Sequence, residues 1–197
     1  MSNLRELGRR RLLFLALAGA AALWGSGVEA QSVDVPVRLQ AELLSKVVAY
    51  DRSFAARAGA RALVFVVVKP GSAESEHTGE QLEAELRVLS DIGGLPHVEE
   101  TVHYTSARAL ADLVKTRGPA VVLFSSDLGD QVEPIARALD GLPVLSVGVS
   151  AAYVPRGAVL GYDVESGKPK LVVHLGQARR QRVAFRPELL RLARVIQ

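Results

Sequence analysis

"ALVFVVVK", residues 62–69, is the stretch on which the fold turns. It is apolar from Ala62 to Val68, rich in valine and free of alternation. A strand with one wet face would alternate, so this pattern predicts a strand covered on both faces, as in a parallel sheet flanked by helices. Working outward, "AVVLFSS" (120–126) and "PVLSVGV" (143–149) repeat the pattern, and "HVEETVHY" (97–104) reads as an alternating strand. Between them the apolar spacing is helical. Leu39, Leu43, Leu44, Val47 and Phe54 predict one helix over about Val37 to Ala58, with Gly59 as its stop. Leu82, Leu86 and Leu89 predict a second over about Glu80 to Ile92, ended by Gly93-Gly94 and preceded by "PGSAESEHTGE" as a loop. Ala107–Thr116 and Asp130–Leu139, with Pro134 in its first turn, complete an alternation that implies right-handed crossovers. The expected class is α/β, a mostly parallel sheet with helices on both faces.

After Ser150 the rhythm changes. "AVLGYDV" and "KPKLVVHL", joined by Glu165-Ser166-Gly167, read as an antiparallel hairpin. A short helix (Gly176–Gln181) and a closing helix (Pro187–Val195) follow. The stretch "RRQRVAFRPELLRLARVIQ" is strongly basic, yet Leu189, Leu190, Leu192, Val195 and Ile196 would give it an apolar face, with Arg191 and Arg194 on the other side. That is a docked amphipathic helix rather than a nucleic-acid-binding tail.

The first thirty residues read differently. Arg9-Arg10-Arg11, the apolar run "LLFLALAGAAALWG" and the small residues of Val28-Glu29-Ala30 form a secretory signal peptide, with cleavage expected before Gln31. The export route, general or twin-arginine, stays open. Cleavage removes Arg5, Arg9, Arg10, Arg11, Glu6 and Glu29, and the net charge of +3 falls to +1. Nothing then supports a globally basic nucleic-acid binder. There is no cysteine, so disulfides and a lipidated cysteine are excluded. Residues 31–197 are expected to form one domain, large enough to be held by its core.

Catalytic signatures are missing. "GYDVESGK" (161–168) has one residue too many between its glycines for a phosphate loop, and Pro169 stands where a Ser or Thr would be needed. His97 and His103 share a strand face about 20 Å apart at roughly 3.3 Å per residue, too far to ligate one metal. Glu74, Glu76, Glu80, Glu83 and Glu85 read as a solvated face. No catalytic residue, cofactor or metal is expected. What has functional shape is the set of strand C-terminal ends, where open parallel sheets bind ligands. They gather Ser72, Ser125, Ser126, Asp127, Ser150 and Tyr153, suited to a small polar molecule, although ordinary helix capping explains the same residues.

From Leu142 onward the chain resembles the YfiR family. "LPVLSVGVS" and "RGAVLGYDVESGKPKLVVHLGQARRQRVAFRPELLRLARVI" carry the resemblance, with Gly157, Ala178, Arg179, Leu189, Leu190, Leu192 and Ala193 at matching places. The chain departs from the family at Tyr50-Asp51 (commonly Trp-Pro), His174 (usually Asn), Arg156 (a Gly) and in lacking cysteines. The resemblance implies a non-enzymatic periplasmic regulator that binds a membrane-bound diguanylate cyclase or similar sensor and lowers cyclic-di-GMP and biofilm formation. Arg191 and Arg194 are the expected partner-facing residues. A homodimer and a small metabolite stay open as further partners, nucleic acid does not. The alternative is a small-molecule-binding module resembling one lobe of a solute-binding protein.

Overall fold

The computed structural model describes residues 34–197, and the signal-peptide reading lies outside them. The α/β class is as the sequence predicts. Seven strands form one sheet in the order β2-β1-β3-β4-β5-β6-β7: β1 (Ala62–Val68), β2 (His97–His103), β3 (Val121–Phe124), β4 (Leu145–Gly148), β5 (Leu160–Glu165), β6 (Lys168–His174) and β7 (Arg194–Ile196). The first five strands run parallel, with β6 antiparallel to β5 and β7 parallel to β6.

Each central strand is buried on both faces, which explains its unbroken apolar run. Val64 and Val66 of β1, with Val121 and Leu123 of β3, meet one apolar cluster. That cluster holds α1 (Val37–Val48), α2 (Phe54–Ala58), α3 (Ala73–Arg87), α6 (Leu175–Arg180) and α7 (Pro187–Leu192). Phe65, Val67, Val122 and Phe124 turn the other way, onto α4 (Ala107–Arg117) and α5 (Val132–Ala138).

Three boundaries differ from the sequence reading. The long first helix is two, α1 and α2, broken at Asp51. The Asp51 carboxylate takes the backbone N–H of Ser53 and the hydroxyl of Ser53, and 133 residues away the N–H of Ala184. A side chain that satisfies nearby backbone donors competes with the helix.

The second helix starts at Ala73, within the presumed loop, and stops at Arg87. Ser72 caps it by accepting from Ser75 N–H, and Glu74 and Glu76 suit the positive end of its dipole. Gly79, which looked like a loop residue, is there for contact: a Cβ would lie 2.2 Å from Val68 Cγ1, so α3 packs closely on β1.

The closing helix ends at Leu192, and Arg194–Ile196 become edge strand β7. Leu189 is buried, but Leu192 is 66% exposed, so the expected five-residue apolar face does not exist. Val195 and Ile196 are β-branched and pair along β6 instead.

The β5–β6 hairpin and the short helix α6 stand where the sequence put them. Ser166 and Gly167 both have positive φ (53° and 73°), as a two-residue turn of this hand requires. His174 caps α6, its Nδ1 accepting from Gln177 N–H at 3.3 Å, which is the work an Asn does at such a position.

Two outcomes test this packing. Truncation before Pro187 removes Leu189 and β7 and should lower unfolding free energy by at least about 2 kcal/mol in urea titration, whereas Arg191→Glu with Arg194→Glu should cost far less. The second concerns Asp51. Burial pushes its carboxyl upward, but Arg57 and the Ser53 and Ala184 hydrogen bonds outweigh that and hold it below the ordinary 3.8. Its contribution is therefore complete above that value and lost as pH falls through the lower folded one. Asp51→Asn should cost about 3–5 kcal/mol by stranding a buried cation. It should also flatten the acid side of a urea-midpoint-versus-pH curve.

Candidate functional site

The sheet order places a reversal between β1 and β3: α3 crosses to β2 on one face, and α4 crosses back to β3 on the other. Doubly wound sheets bind ligands where two such loops diverge. The loops after β1 and β3 carry Ser72 and Ser125-Ser126-Asp127, and the structure brings them together.

Hydroxyl groups stitch these loops across the reversal. Ser72 Oγ donates to Asp127 Oδ2 at 2.5 Å. Ser75 and Ser125 hydroxyls meet at 2.6 Å, both fully buried, and Thr78 meets Ser126 at 2.9 Å. Lys69 N–H also donates to Ser75 Oγ. Four of the six residues singled out by sequence thus lie here, but Ser125 and Ser126 are spent on holding α3 to β3. Asp127 sits at φ 59°, a left-handed conformation that Asp tolerates better than most residues. Ser150 is a cap, accepting from Ala152 N–H at the 3₁₀ turn Ala151–Tyr153.

Tyr153 fixes the floor. Its ring lies over Gly148, where a Cβ would come within 2.6 Å of Tyr153 Cβ. Its hydroxyl donates to Ser125 O at 3.0 Å and accepts from Leu128 N–H at 3.2 Å. Burial is the main cause that raises its phenol above the ordinary range, aided by the negative charges of Asp127 and Glu74. The phenol therefore stays protonated as a donor.

The open space lies beside the stitched crevice. A cleft of about 390 Å³ is lined by Lys69, Asp127, Gly129, Asp130, Ala152, Tyr153 and Arg156. Arg156 donates to Gly129 O and pairs with Asp130 at 2.9 Å. Two cations, two carboxylates and a phenol edge suit a small molecule that carries both charges. Sequence reasoning missed Lys69, Asp130 and Arg156. The position of Lys69 at the end of β1 was a usable signal, but Arg156 arrives through the β4–β5 connection, whose path no spacing reveals.

The remaining candidates lie elsewhere. Arg191 pairs with Glu188 within its own helix, at 3.8 Å, and Arg194 pairs with Asp163 of β5 at 2.6 Å. His97 and His103 occupy opposite ends of β2. Among the described residues, no group of three His, Asp or Glu side chains gathers as a metal site, and no helix is long and apolar enough to cross a membrane.

Fold and site define a doubly wound α/β domain with a polar cleft at the strand ends. The chain belongs to the YfiR/HmsC-like family, whose model matches residues 38–194. No curated protein matches it. Among solved structures it is similar to a conserved domain protein of Vibrio cholerae (TM-score 0.55, 16% identity, 82% of this chain and 60% of that one). A second is an ABC domain in complex with L-Trp from Streptococcus pneumonia (0.59, 13%, 82% and 62%). A third is the ligand-free, open form of CD0873, a substrate binding protein with adhesive properties from Clostridium difficile (0.57, 10%, 83% and 61%). The chain spans about three-fifths of the length of each, and at these identities the likeness is one of fold.

Gly148→Ala tests the floor of the cleft. The added methyl must displace the Tyr153 ring, so the substitution should cost about 1–3 kcal/mol by overpacking, read from urea unfolding. Tyr153→Phe, which removes only the hydroxyl, should cost about 1 kcal/mol.

Proposed function

We propose that this chain is a non-enzymatic periplasmic regulator that binds the outer domain of a membrane-bound diguanylate cyclase or similar sensor and holds it inactive, so lowering cyclic-di-GMP. The family match over residues 38–194 carries this reading. Repression by contact is stoichiometric: the regulator must prefer the inactive arrangement of its partner, because a ligand shifts an equilibrium only by its differential affinity. In a host lacking its own copy, expression of the full chain beside the candidate cyclase should lower cyclic-di-GMP, measured by mass spectrometry. The same chain without its first thirty residues should have no effect, since it would not be exported. Equal repression by both forms would sink the periplasmic reading.

A second reading rests on the cleft. Lys69, Arg156, Asp127 and Asp130 would hold a small zwitterion over the Tyr153 ring, and that ligand would tune the regulator. The two readings agree if the ligand binds only one state of the complex. A screen of amino acids and other small metabolites by thermal shift should give a hit that Asp127→Ala or Arg156→Ala abolishes. A hit that survives both substitutions places the ligand elsewhere.

A further inference from the structure

Opposite the cleft, at the N-terminal ends of the strands, two short stretches lie side by side. Arg52 N–H donates to Ala184 O, Arg186 N–H donates to Tyr50 O, and Ser53 Oγ donates to Arg182 O. Asp51 and Phe185 form an antiparallel bridge. Alternation across such a bridge turns Asp51 inward and Tyr50, Arg52, Ala184 and Arg186 outward. Burial follows that rule: Asp51 is buried and the other four are exposed. Arg57, the buried partner of Asp51, donates to Ala120 O just before β3, which fixes the ribbon at the base of the sheet.

The ribbon carries a net positive charge. Asp51 is the only carboxylate in 49–54 and 179–187, and it is committed to Arg57. Arg180 is paired with Asp140. Arg52, Arg179, Arg182 and Arg186 are exposed and make no ion pair with another described residue.

Arg182 also breaks a local rule. Val183 N–H bonds Ala178 O and Arg182 N–H bonds Arg179 O, the paired bonds that end a helix with a left-handed residue. That residue is Arg182, at φ 55°, where glycine is the usual occupant. A charged side chain is held there at the expense of backbone ease, which points to a use for it outside the fold.

We propose that Arg52, Arg179, Arg182 and Arg186 form a docking face for anionic phospholipid headgroups. The proposal goes beyond repression of a partner and does not depend on it. The fully buried centre of a protein–protein interface is more apolar than the surface around it, with aromatic residues enriched. Among the described residues, the one large exposed apolar side chain within 49–54 and 179–187 is Tyr50, at 37%, a residue type suited to the headgroup level. A charged membrane surface asks for little more than clustered cations, each worth roughly a fivefold gain in partitioning. Docked this way, the domain would stand with its strand N-terminal ends on the bilayer and the cleft facing away.

The test uses the chain beginning at Gln31, which contains all the described residues, and sedimentation with vesicles. Phosphatidylcholine vesicles with and without about one-third phosphatidylglycerol are the two probes, at low and high salt. Wild type should sediment with the anionic vesicles only, and lose binding at high salt. Arg182→Gly should weaken binding about fivefold while its urea midpoint stays at or above wild type, a pair of results that a structural role for Arg182 does not produce. Arg52→Glu with Arg182→Glu and Arg186→Glu should abolish sedimentation, with Arg191→Glu plus Arg194→Glu as the control that leaves it within about twofold, as expected of rim charges already paired. Wild type that ignores anionic vesicles at low salt overturns the proposal, and so does a triple variant that folds and sediments like wild type. If wild type ignores lipid while the triple variant loses a membrane protein partner in pull-down, the face belongs to an acidic protein and the lipid assignment is wrong.

Discussion

The buried contact between Asp51 and Arg57 organises the base of this molecule. Both side chains are almost wholly withdrawn from water, and their closest atoms are 2.6 Å apart. Such a pair is stabilising only when its remaining lone pairs and protons are also satisfied. Here they are met from several directions. Asp51 accepts from Ser53 and from Ala184 N–H, and Arg57 donates to Ala120 O and lies 5.8 Å from the centre of the Phe54 ring. One carboxylate therefore joins the α1–α2 junction, the start of β3 and the segment before α7.

The central sheet was legible because its signal is a bulk property. Strands buried on both faces must be apolar throughout, and "ALVFVVVK" and "AVVLFSS" are. The misread boundaries have other causes: a capping side chain, a competing carboxylate or an open sheet edge, none of which the apolar period records. Asp51 takes donors from Ser53 beside it and from Ala184 far along the chain, and the helix breaks there. Ser72 caps α3 ahead of its apolar stripe, and Gly79 inside it lets the helix approach Val68. Val195 and Ile196 leave α7 because β6 offers an unpaired edge. Helical spacing carries none of this information.

The candidate site was legible by position and not by role. Ser72, Asp127 and Tyr153 do meet where a parallel sheet would place a ligand. Ser125 faces Ser75 and Ser126 faces Thr78, contacts between loops about fifty residues apart that no local pattern announces. Ser150 turned out to be the ordinary cap that the sequence also allowed. The unpaired arginines were visible as composition, but the basic stretch was read through its apolar spacing. Its functional content depends on Arg52, which the fold brings in from the far end of the chain.

The contacts made by residues 184–186 also govern the order in which the molecule can be completed. Ala184 closes on Asp51 across 133 residues, and Tyr162 reaches back 122 residues to Gln40 O. Until residue 184 is available, the Asp51 carboxylate lacks its Ala184 hydrogen bond, and the open β6 edge has no β7. Contacts of such long sequence separation form late and slowly. A chain emerging in order would therefore remain loose, with its first helices unlocked, through most of its synthesis. The knot at the base therefore tightens only once the last strand has arrived beside β6.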